Sequence, residues 1–190
     1  MRKIIIASTG ASGSIYTYRL IKKILESGFD KSNLALVFSD NADVIWKKEL
    51  PNININDWQI KQYLANDFFA PFASGSSDFN YMIICPCSMG TIGKISSGIS
   101  NDLICRAADV MLKENRKLII VPRETPYNLI HINNMKTILL AGGIICPASP
   151  SFYSNPLSID ELVDTVVDRV LHLSDFDNIK SFKWGEDNSV

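Results

Sequence analysis

The sequence has few of the residues that build metal centres or disulfide frameworks. It contains four cysteines and two histidines among 190 residues, namely Cys85, Cys87, Cys105, Cys146, His131 and His172. No two cysteines form a Cys-x-x-Cys pair, and the histidine spacing matches no zinc pattern. We therefore expect reduced, mostly buried thiols and no metal site.

An excess of one charge is also lacking, and so are long apolar runs. The chain carries 19 basic and 20 acidic residues, a formal net charge of −1, with no long run of either sign. A basic face for nucleic acid is therefore not indicated. The apolar run at residues 4–7 is too short for the core of a signal peptide, and no stretch approaches the roughly 18 apolar residues of a membrane span. We expect a cytoplasmic protein with neither nucleic acid nor a membrane as a partner.

Short β-rich runs alternate with helical patterns along the chain. Strands are predicted at residues 3–8, 34–38, 81–85 (halted by Pro86), 118–121 and 144–146. Helices are predicted from residue 14 to about 27 and at 42–48, 89–97, 103–114, 128–141 and 159–173, with a candidate helix at 58–64 in the less clear segment 51–67. This alternation predicts an α/β protein with three layers, a mainly parallel sheet between helices. We expect one domain at residues 1–173 and a polar tail at 174–190 lying over the surface or over a neighbouring subunit.

In such a sheet, ligands bind beyond the carboxyl ends of the strands. Five segments follow strands and should share that edge: residues 10–14, 39–40, 87–91, 123–124 and 147–153. The first opens a helix directly after a strand, where free amides favour an anion such as phosphate. A tight turn without a ligand remains the alternative. Ser88, Met89, Gly90 and Thr91 repeat the arrangement after the third strand, which suggests an extended ligand with a phosphate and a polar ring.

Several charged and aromatic residues are candidates for substrate chemistry. Arg123 and Glu124, directly after a buried strand, suit phosphate binding and proton transfer, with a structural ion pair as the alternative. Arg106 and Lys113 share a helix face, although Lys113 also suits an i, i+4 pair with Asp109. Tyr153 lies in a proline-framed loop. Arg169, on the last helix, is by default a solvated residue.

Seven motifs in this order resemble those of the flavin prenyltransferase family of the UbiX and Pad1 type. The resemblance covers about residues 3–173. The motifs are Thr9-Gly10-Ala11-Ser12-Gly13, Ala73-Ser74-Gly75-Ser76, Pro86-Cys87-Ser88-Met89, Arg106-Ala107-Ala108-Asp109-Val110, Leu112-Lys113-Glu114, Arg123-Glu124-Thr125-Pro126 and Pro150-Ser151-Phe152-Tyr153. Asn101-Asp102 departs from the family pattern by reversing an acidic-then-Asn order.

The resemblance implies a flavodoxin-like fold, a dodecamer with FMN near the subunit boundary, and transfer of a dimethylallyl group from dimethylallyl monophosphate to N5 and C6 of reduced FMN. The prenylated FMN then serves a UbiD-type decarboxylase. By position, the residues implied to contact FMN are Gly10, Ala11, Ser12, Ser39, Ser88, Met89, Gly90, Thr91 and Arg123. Those implied for the allylic phosphate are Lys113, Arg123, Glu124, Tyr153 and Arg169, with Arg106 from a neighbouring subunit.

Three further residues are assigned through the resemblance alone. Glu49 matches a family carboxylate and Ser12 accompanies it as a catalytic candidate beside Glu124 and Lys113. Trp184 resembles a tail aromatic near the prenyl group. The sequence has no paired-aspartate cluster of the kind that holds magnesium in diphosphate prenyltransferases, which is consistent with a metal-independent reaction.

Three alternatives remain in view. FMN-dependent cysteine decarboxylases share the fold but use an early active-site histidine and a Pro-Ala-Ser-Ala-Asn turn, which are absent here. A short-chain NAD(P) dehydrogenase needs a late Tyr-x-x-x-Lys, and the only such spacing lies at Tyr18 and Lys22 inside the first helix. A flavin-binding carrier without activity would keep the same binding residues, so the sequence separates it poorly.

Overall fold

Six parallel strands form one sheet in the computed structural model, which describes residues 2–176, 181–182 and 185. The spatial order is β3-β2-β1-β4-β5-β6. The strands are β1 (Ile4–Ser8), β2 (Leu34–Phe38), β3 (Lys61–Tyr63), β4 (Tyr81–Cys87), β5 (Lys117–Pro122) and β6 (Ile144–Ile145). The helices are α1 (Ser14–Glu26), α2 (Asp40–Glu49), α3 (Met89–Ser96), α4 (Leu103–Lys113), α5 (Leu129–Leu140) and α6 (Ile159–Leu173). The predicted three-layer α/β fold is confirmed.

The sheet separates two apolar clusters, because both of its faces are covered. Ile5 and Ala7 of β1 belong to the cluster that contains the buried residues of α3, α4 and α5. Ile4 and Ile6 of the same strand belong to the cluster with α1 and α6. A strand buried on both faces requires a continuous apolar run rather than an alternating one. The first strand was predicted on this ground.

The segment after α2 differs from the prediction. Residues 58–64 contain no helix: a short 3-10 turn ends at Trp58 (Ile55–Trp58), and Lys61–Tyr63 form the edge strand β3, paired in parallel with β2. Lys61 and Gln62 are exposed, so this strand shows no apolar run. The sheet therefore has six strands instead of the predicted five.

Strand β4 is longer than predicted because it continues through Pro86. The strand spans Tyr81–Cys87, and its register against β5 shifts between Ile84 and Cys87. An irregularity of this kind accommodates a residue that has no N–H to donate to the ladder. As a consequence, Cys87 lies inside the sheet and the turn that follows begins at Ser88.

The first residues of the predicted tail belong to the core. Ser174 and Phe176 are buried, and the Phe176 ring contacts that of Phe29. Asp175 accepts hydrogen bonds from the Tyr81 hydroxyl at 2.7 Å and from Lys117 Nζ at 2.8 Å. The surface tail expected from residue 174 is corrected for these three residues.

No helix within the described ranges combines the length and the apolar character that crossing a bilayer requires.

Candidate functional site

The loop at residues 10–14 joins β1 to α1 at the carboxyl edge of the sheet. Gly13 adopts a left-handed conformation with φ 116°, which favours glycine. A Cβ at Gly10 would lie 2.7 Å from the Cβ of Asn41 in the first turn of α2. Both glycines are therefore needed for the loop to pass closely beside α2.

The start of α1 already holds an anion, and that anion is Glu49. The amides of Gly13 and Ser14 donate to Glu49 Oε2 at 2.9 and 2.7 Å. Burial by itself would raise the pKa of Glu49, but hydrogen bonds from the Ser12 hydroxyl and from the amides of Ser14 and Gly13 outweigh it and hold the pKa below its ordinary value. In this structure, the amides of Gly13 and Ser14 are occupied by the carboxylate of Glu49, and phosphate binding by this loop stays a prediction.

The turn after β4 lies next to this loop and is hydrogen-bonded to it. The Thr9 hydroxyl donates to the carbonyl oxygen of Pro86 at 3.1 Å and accepts from the Ser88 amide at 2.7 Å. The Ser88 hydroxyl accepts from the Thr91 amide at 3.3 Å and so caps α3. In the described part of the chain, the amides of Met89 and Gly90 make no hydrogen bond, and a Cβ at Gly90 would meet only open space. This second helix start is therefore available to a ligand.

Arg123 joins the two turns. Its amide donates to the Cys87 carbonyl at 3.3 Å, and its Nε donates to the Ser12 carbonyl at 2.9 Å. Glu124 Oε1 accepts from the Thr125 amide at 3.0 Å. Among the described residues, no ion pair joins Arg123 to Glu124, so the alternative of a structural ion pair is not supported. The guanidinium and the carboxylate both lie at the end of β5.

Ser39 completes this edge on the other side of β1. Its amide donates to the Ser8 carbonyl at 3.1 Å, and its hydroxyl caps α2 through the Ala42 amide at 3.2 Å. It borders a cleft of about 770 Å³ whose lining includes Phe38, Asp40, Val44, Tyr63, Asn101 and Asp102. A volume of this order is typical of small-molecule sites. Tyr63 was not among the predicted site residues, because its strand was not predicted.

The loop that carries Tyr153 connects the end of β6 to α6 and contacts the end of β5. The Ala148 amide donates to the Pro122 carbonyl at 3.0 Å, and the Ser151 amide donates to the Thr165 hydroxyl at 3.0 Å. Tyr153 itself is 69% exposed. Arg169, one turn beyond Thr165, borders a second cleft of about 610 Å³ together with Ser151 and Ser154. The structure thus brings the loops of Tyr153 and Arg123 together, with Arg169 beside the first of them.

Lys113 is not brought to this edge, whereas Arg106 lies about one turn into α4, whose N-cap Asp102 borders the cleft beside Ser39. Helix α4 ends at Lys113, and β5 begins at Lys117, so Lys113 lies at the amino edge of the sheet, opposite Arg123. Its Nζ contacts Glu114 Oε1 at 2.6 Å, and Arg106 pairs with Asp109 at 3.2 Å. The suggested i, i+4 pair between Asp109 and Lys113 is therefore wrong. Trp184 lies outside the described residues.

Buried thiols and the Tyr-x-x-x-Lys spacing offer no alternative chemistry. Burial raises the pKa of the Cys87 thiol well above its ordinary value, and burial is also the main cause that raises the pKa of Cys105 to about 12. A thiol that stays protonated is a poor nucleophile. Tyr18 stacks on Trp58 with ring centroids 5.9 Å apart, and Lys22 pairs with Glu26 at 3.8 Å, both on the surface of α1.

Comparison with known proteins agrees with the resemblance in the motifs. Residues 1–171 match the family model described as Flavoprotein. The chain is 42% identical over 189 residues to a flavin prenyltransferase UbiX of Methanocaldococcus jannaschii, covering 96% of this chain and 98% of that protein.

Two solved structures extend the comparison. One, AnUbiX (PadA1) in complex with FMN and dimethylallyl pyrophosphate, is 37% identical with a TM-score of 0.85, covering 96% of this chain and 99% of that one. The other, a dodecameric FMN-dependent UbiX-like decarboxylase from Escherichia coli O157:H7, is 34% identical with a TM-score of 0.89, covering 97% of this chain and 99% of that one.

Proposed function

The chain belongs to the flavin prenyltransferase family, and from that premise we propose that it transfers a dimethylallyl group from dimethylallyl monophosphate to N5 and C6 of reduced FMN. The observation that carries the proposal is the position of Arg123, whose side chain is hydrogen-bonded to the loop at residues 10–14 while its backbone is bonded to β4. Its cation is thereby held beside the turns assigned to the flavin, at the end of the strand that the loop of Tyr153 also contacts. We propose that no metal ion takes part.

The proposed flavin site consists of the two turns and the start of α2. Support comes from the unbonded amides of Met89 and Gly90 at the start of α3, which suit an anion or a ring carbonyl. Ser88 and Thr91 hold that helix start in place, and Ser39 lies across β1 beside the larger cleft. When it is bound, reduced FMN supplies the nitrogen nucleophile, so the chain needs none of its own. Gly10 and Ala11 are proposed to line the flavin site between the start of α3 and Ser39.

The proposed phosphate site combines residues of two copies of the chain. Arg123, Tyr153 and Arg169 lie on segments that meet at the carboxyl edge, whereas Lys113 lies at the far end of α4, away from it. We therefore propose that Lys113, like Arg106, reaches the phosphate from a neighbouring copy. A homo-oligomer, in particular a dodecamer like that of the Escherichia coli relative, provides such neighbours. Cations stabilise the negative charge that develops on the leaving phosphate.

Glu124 and Glu49 are proposed to have different tasks. Glu124 is exposed at the end of β5, next to the phosphate-binding cation, and is placed to give a proton to the departing phosphate. Glu49 is bound by Ser12, Gly13 and Ser14 and sets the shape of the loop that holds Arg123. Trp184 is proposed to face the prenyl group, as the family pattern suggests. The product, prenylated FMN, would pass to a decarboxylase of the UbiD type.

The test is direct synthesis of the product. We expect that the purified chain, incubated anaerobically with reduced FMN and dimethylallyl monophosphate, yields a flavin whose mass is increased by one prenyl unit. The diphosphate is offered in a parallel reaction, since the solved AnUbiX complex contains it. A Glu26→Gln variant, altered at an exposed carboxylate at the far end of α1, serves as the control and should be as active as the wild type. Flavin that stays at its original mass with both donors would refute the proposal.

Lys113 provides a separate test of the two-copy site. We expect Lys113→Ala to raise KM for the allylic phosphate about tenfold with little change in FMN affinity, because one charge-assisted contact is lost. An Arg123→Ala variant should have both a higher KM for the allylic phosphate and a lower affinity for FMN. When the two variants are co-expressed and assemble together, sites that combine Arg123 of one copy with Lys113 of another are intact, so part of the activity returns. Mixed assemblies no more active than the separate variants would place both residues in one chain.

A further inference from the structure

The motif Ala73-Ser74-Gly75-Ser76 has no part in the site described so far, yet it packs against the end of α4. A Cβ at Gly75 would lie 2.2 Å from Glu114 Oε1 and 2.9 Å from Lys113 Nζ, well inside an ordinary contact distance. Lys113 Nζ and Glu114 Oε1 themselves form an ion pair at 2.6 Å. The backbone of Gly75 therefore lies directly against both ends of this pair, and only a residue without a side chain leaves room for the contact.

The conformation of the backbone does not require glycine at this position. Gly75 lies outside the left-handed region, in contrast to Gly13 with its φ of 116°. Alanine could adopt the same backbone angles without strain. The reason for glycine at residue 75 is therefore the space that Lys113 and Glu114 occupy.

Two arginines fix the segment at residues 73–79, which we call the Gly75 loop, relative to α4. Arg106 Nε, from α4 itself, donates to the first carbonyl of the loop at 2.9 Å. Arg116, just beyond α4, donates from Nη2 to the Gly75 carbonyl at 2.6 Å and from Nη1 to the last carbonyl of the loop at 3.2 Å. The planar guanidinium of Arg116 spans both carbonyls at once. The loop is thus a fixed surface against which the Lys113 side chain rests.

A fixed surface matters for Lys113 because its ammonium group stands on a flexible four-carbon stem. Free movement of that stem would be lost each time the ammonium bound an anion, and this loss weakens binding. Contact with Glu114 and with the Gly75 loop restricts the stem beforehand. An ammonium group has three N–H donors, so the bond to Glu114 leaves others for a phosphate.

We propose that Gly75 is a positioning residue for the phosphate site: it allows the Gly75 loop to hold Lys113 and Glu114 so that the ammonium is in place before the allylic phosphate binds. This role rests on the proposed function, in which Lys113 serves the phosphate site of a neighbouring copy. It gives the Ala73-Ser74-Gly75-Ser76 motif a task in substrate binding although the motif itself touches no substrate.

Gly75→Ala tests the role with a single added methyl group. We expect KM for dimethylallyl monophosphate to rise about fivefold, because the displaced ammonium loses its preorganisation, while kcat, FMN affinity and Tm change little. The fold should tolerate the methyl group, since the atoms that it displaces are the ends of flexible side chains. Gly93→Ala is the matched control: its Cβ would meet only Asn134 Nδ2, at 3.4 Å, and the variant should keep the wild-type KM.

Two further variants show whether Gly75 acts through Lys113. In a Lys113→Ala background, Gly75→Ala should raise KM no further, because the group that it positions is gone. Arg116→Gln frees the Gly75 loop without adding an atom and should raise the same KM in the wild-type background. A wild-type KM in both Gly75→Ala and Arg116→Gln overturns the proposal. So does a Gly75→Ala effect that stays undiminished in the Lys113→Ala background.

A crystal structure of Gly75→Ala measures the position of the ammonium without any turnover. Glu114 Oε1 must move by about 1 Å to reach an ordinary contact distance from the new methyl group, and we expect Lys113 Nζ to leave its wild-type position with it. An unmoved Lys113 Nζ contradicts the proposal. A displaced Lys113 in a protein whose wild type makes no prenylated flavin would retain Gly75 as the residue that places this cation and reject the proposed function.

Discussion

Glu124→Gln is expected to slow prenyl transfer by about a hundredfold or more while leaving FMN binding unchanged. Loss of a positioned general acid typically costs 10²- to 10⁴-fold in rate. Glutamine keeps the size and the hydrogen-bonding capacity of the side chain, including the bond that Glu124 Oε1 accepts from the Thr125 amide at 3.0 Å. The variant therefore removes the transferable proton and little else. Single-turnover formation of the prenylated flavin measures the rate, and fluorescence titration of FMN measures binding.

Two other outcomes of that experiment can be told apart from the expected one. A normal rate would remove Glu124 from the proton-transfer step. Equal losses in rate and FMN affinity would indicate a displaced loop rather than a missing acid. Glu26→Gln makes the same substitution at the remote end of α1, and its rate and FMN affinity show the effect of losing a carboxylate outside the site.

The elements that could be predicted from the sequence are those whose signals are local. Strand β1 has a continuous apolar run because both faces of the sheet are covered, and Asp102 and Ser158 stand as caps at the starts of α4 and α6. Strand β3 could not be predicted, because it is three residues long and exposes Lys61 and Gln62, so its only signal is pairing with β2. The short edge strand depends on tertiary structure, which no window of sequence contains.

The candidate site also has parts that could be predicted from the sequence and parts that could not. The turns after β1, β4 and β5 were placed together by the rule for parallel sheets. The contact of Glu49 with Gly13 and Ser14 joins residues far apart in sequence and was suggested only by likeness. The position of Lys113, in contrast, was available from topology. A helix that leads into a parallel strand ends at the amino edge of the sheet, so Lys113 at the end of α4 could not share an edge with Arg123 of the same chain.

Glu49→Gln is expected to lower both stability and turnover. In the folded protein the carboxylate accepts bonds from Gly13 and Ser14 at 2.9 and 2.7 Å at the positive end of the α1 dipole. Removing its charge should cost about 1–2 kcal/mol of unfolding free energy, or roughly 2–8 °C in Tm. The loop at residues 10–14 then loses its shape, and with it the Ser12 carbonyl that binds Arg123 Nε. A displaced cation should reduce turnover about a hundredfold.

The pH dependence of stability identifies the charge of Glu49 as the cause. Hydrogen bonds hold the pKa of Glu49 below its ordinary value, so its contribution is complete above the unfolded pKa of about 4.3 and is lost as the pH falls through the lower folded value. The Tm difference between wild type and Glu49→Gln should therefore be full at pH 7 and shrink below about pH 4. Asp43→Asn, at an α2 carboxylate whose one ion pair among the described residues is with Lys47, is the matched control and should change Tm little. A Tm difference that stays constant down to pH 3 would mean that the side-chain substitution, and not the charge bound at the start of α1, destabilises the loop.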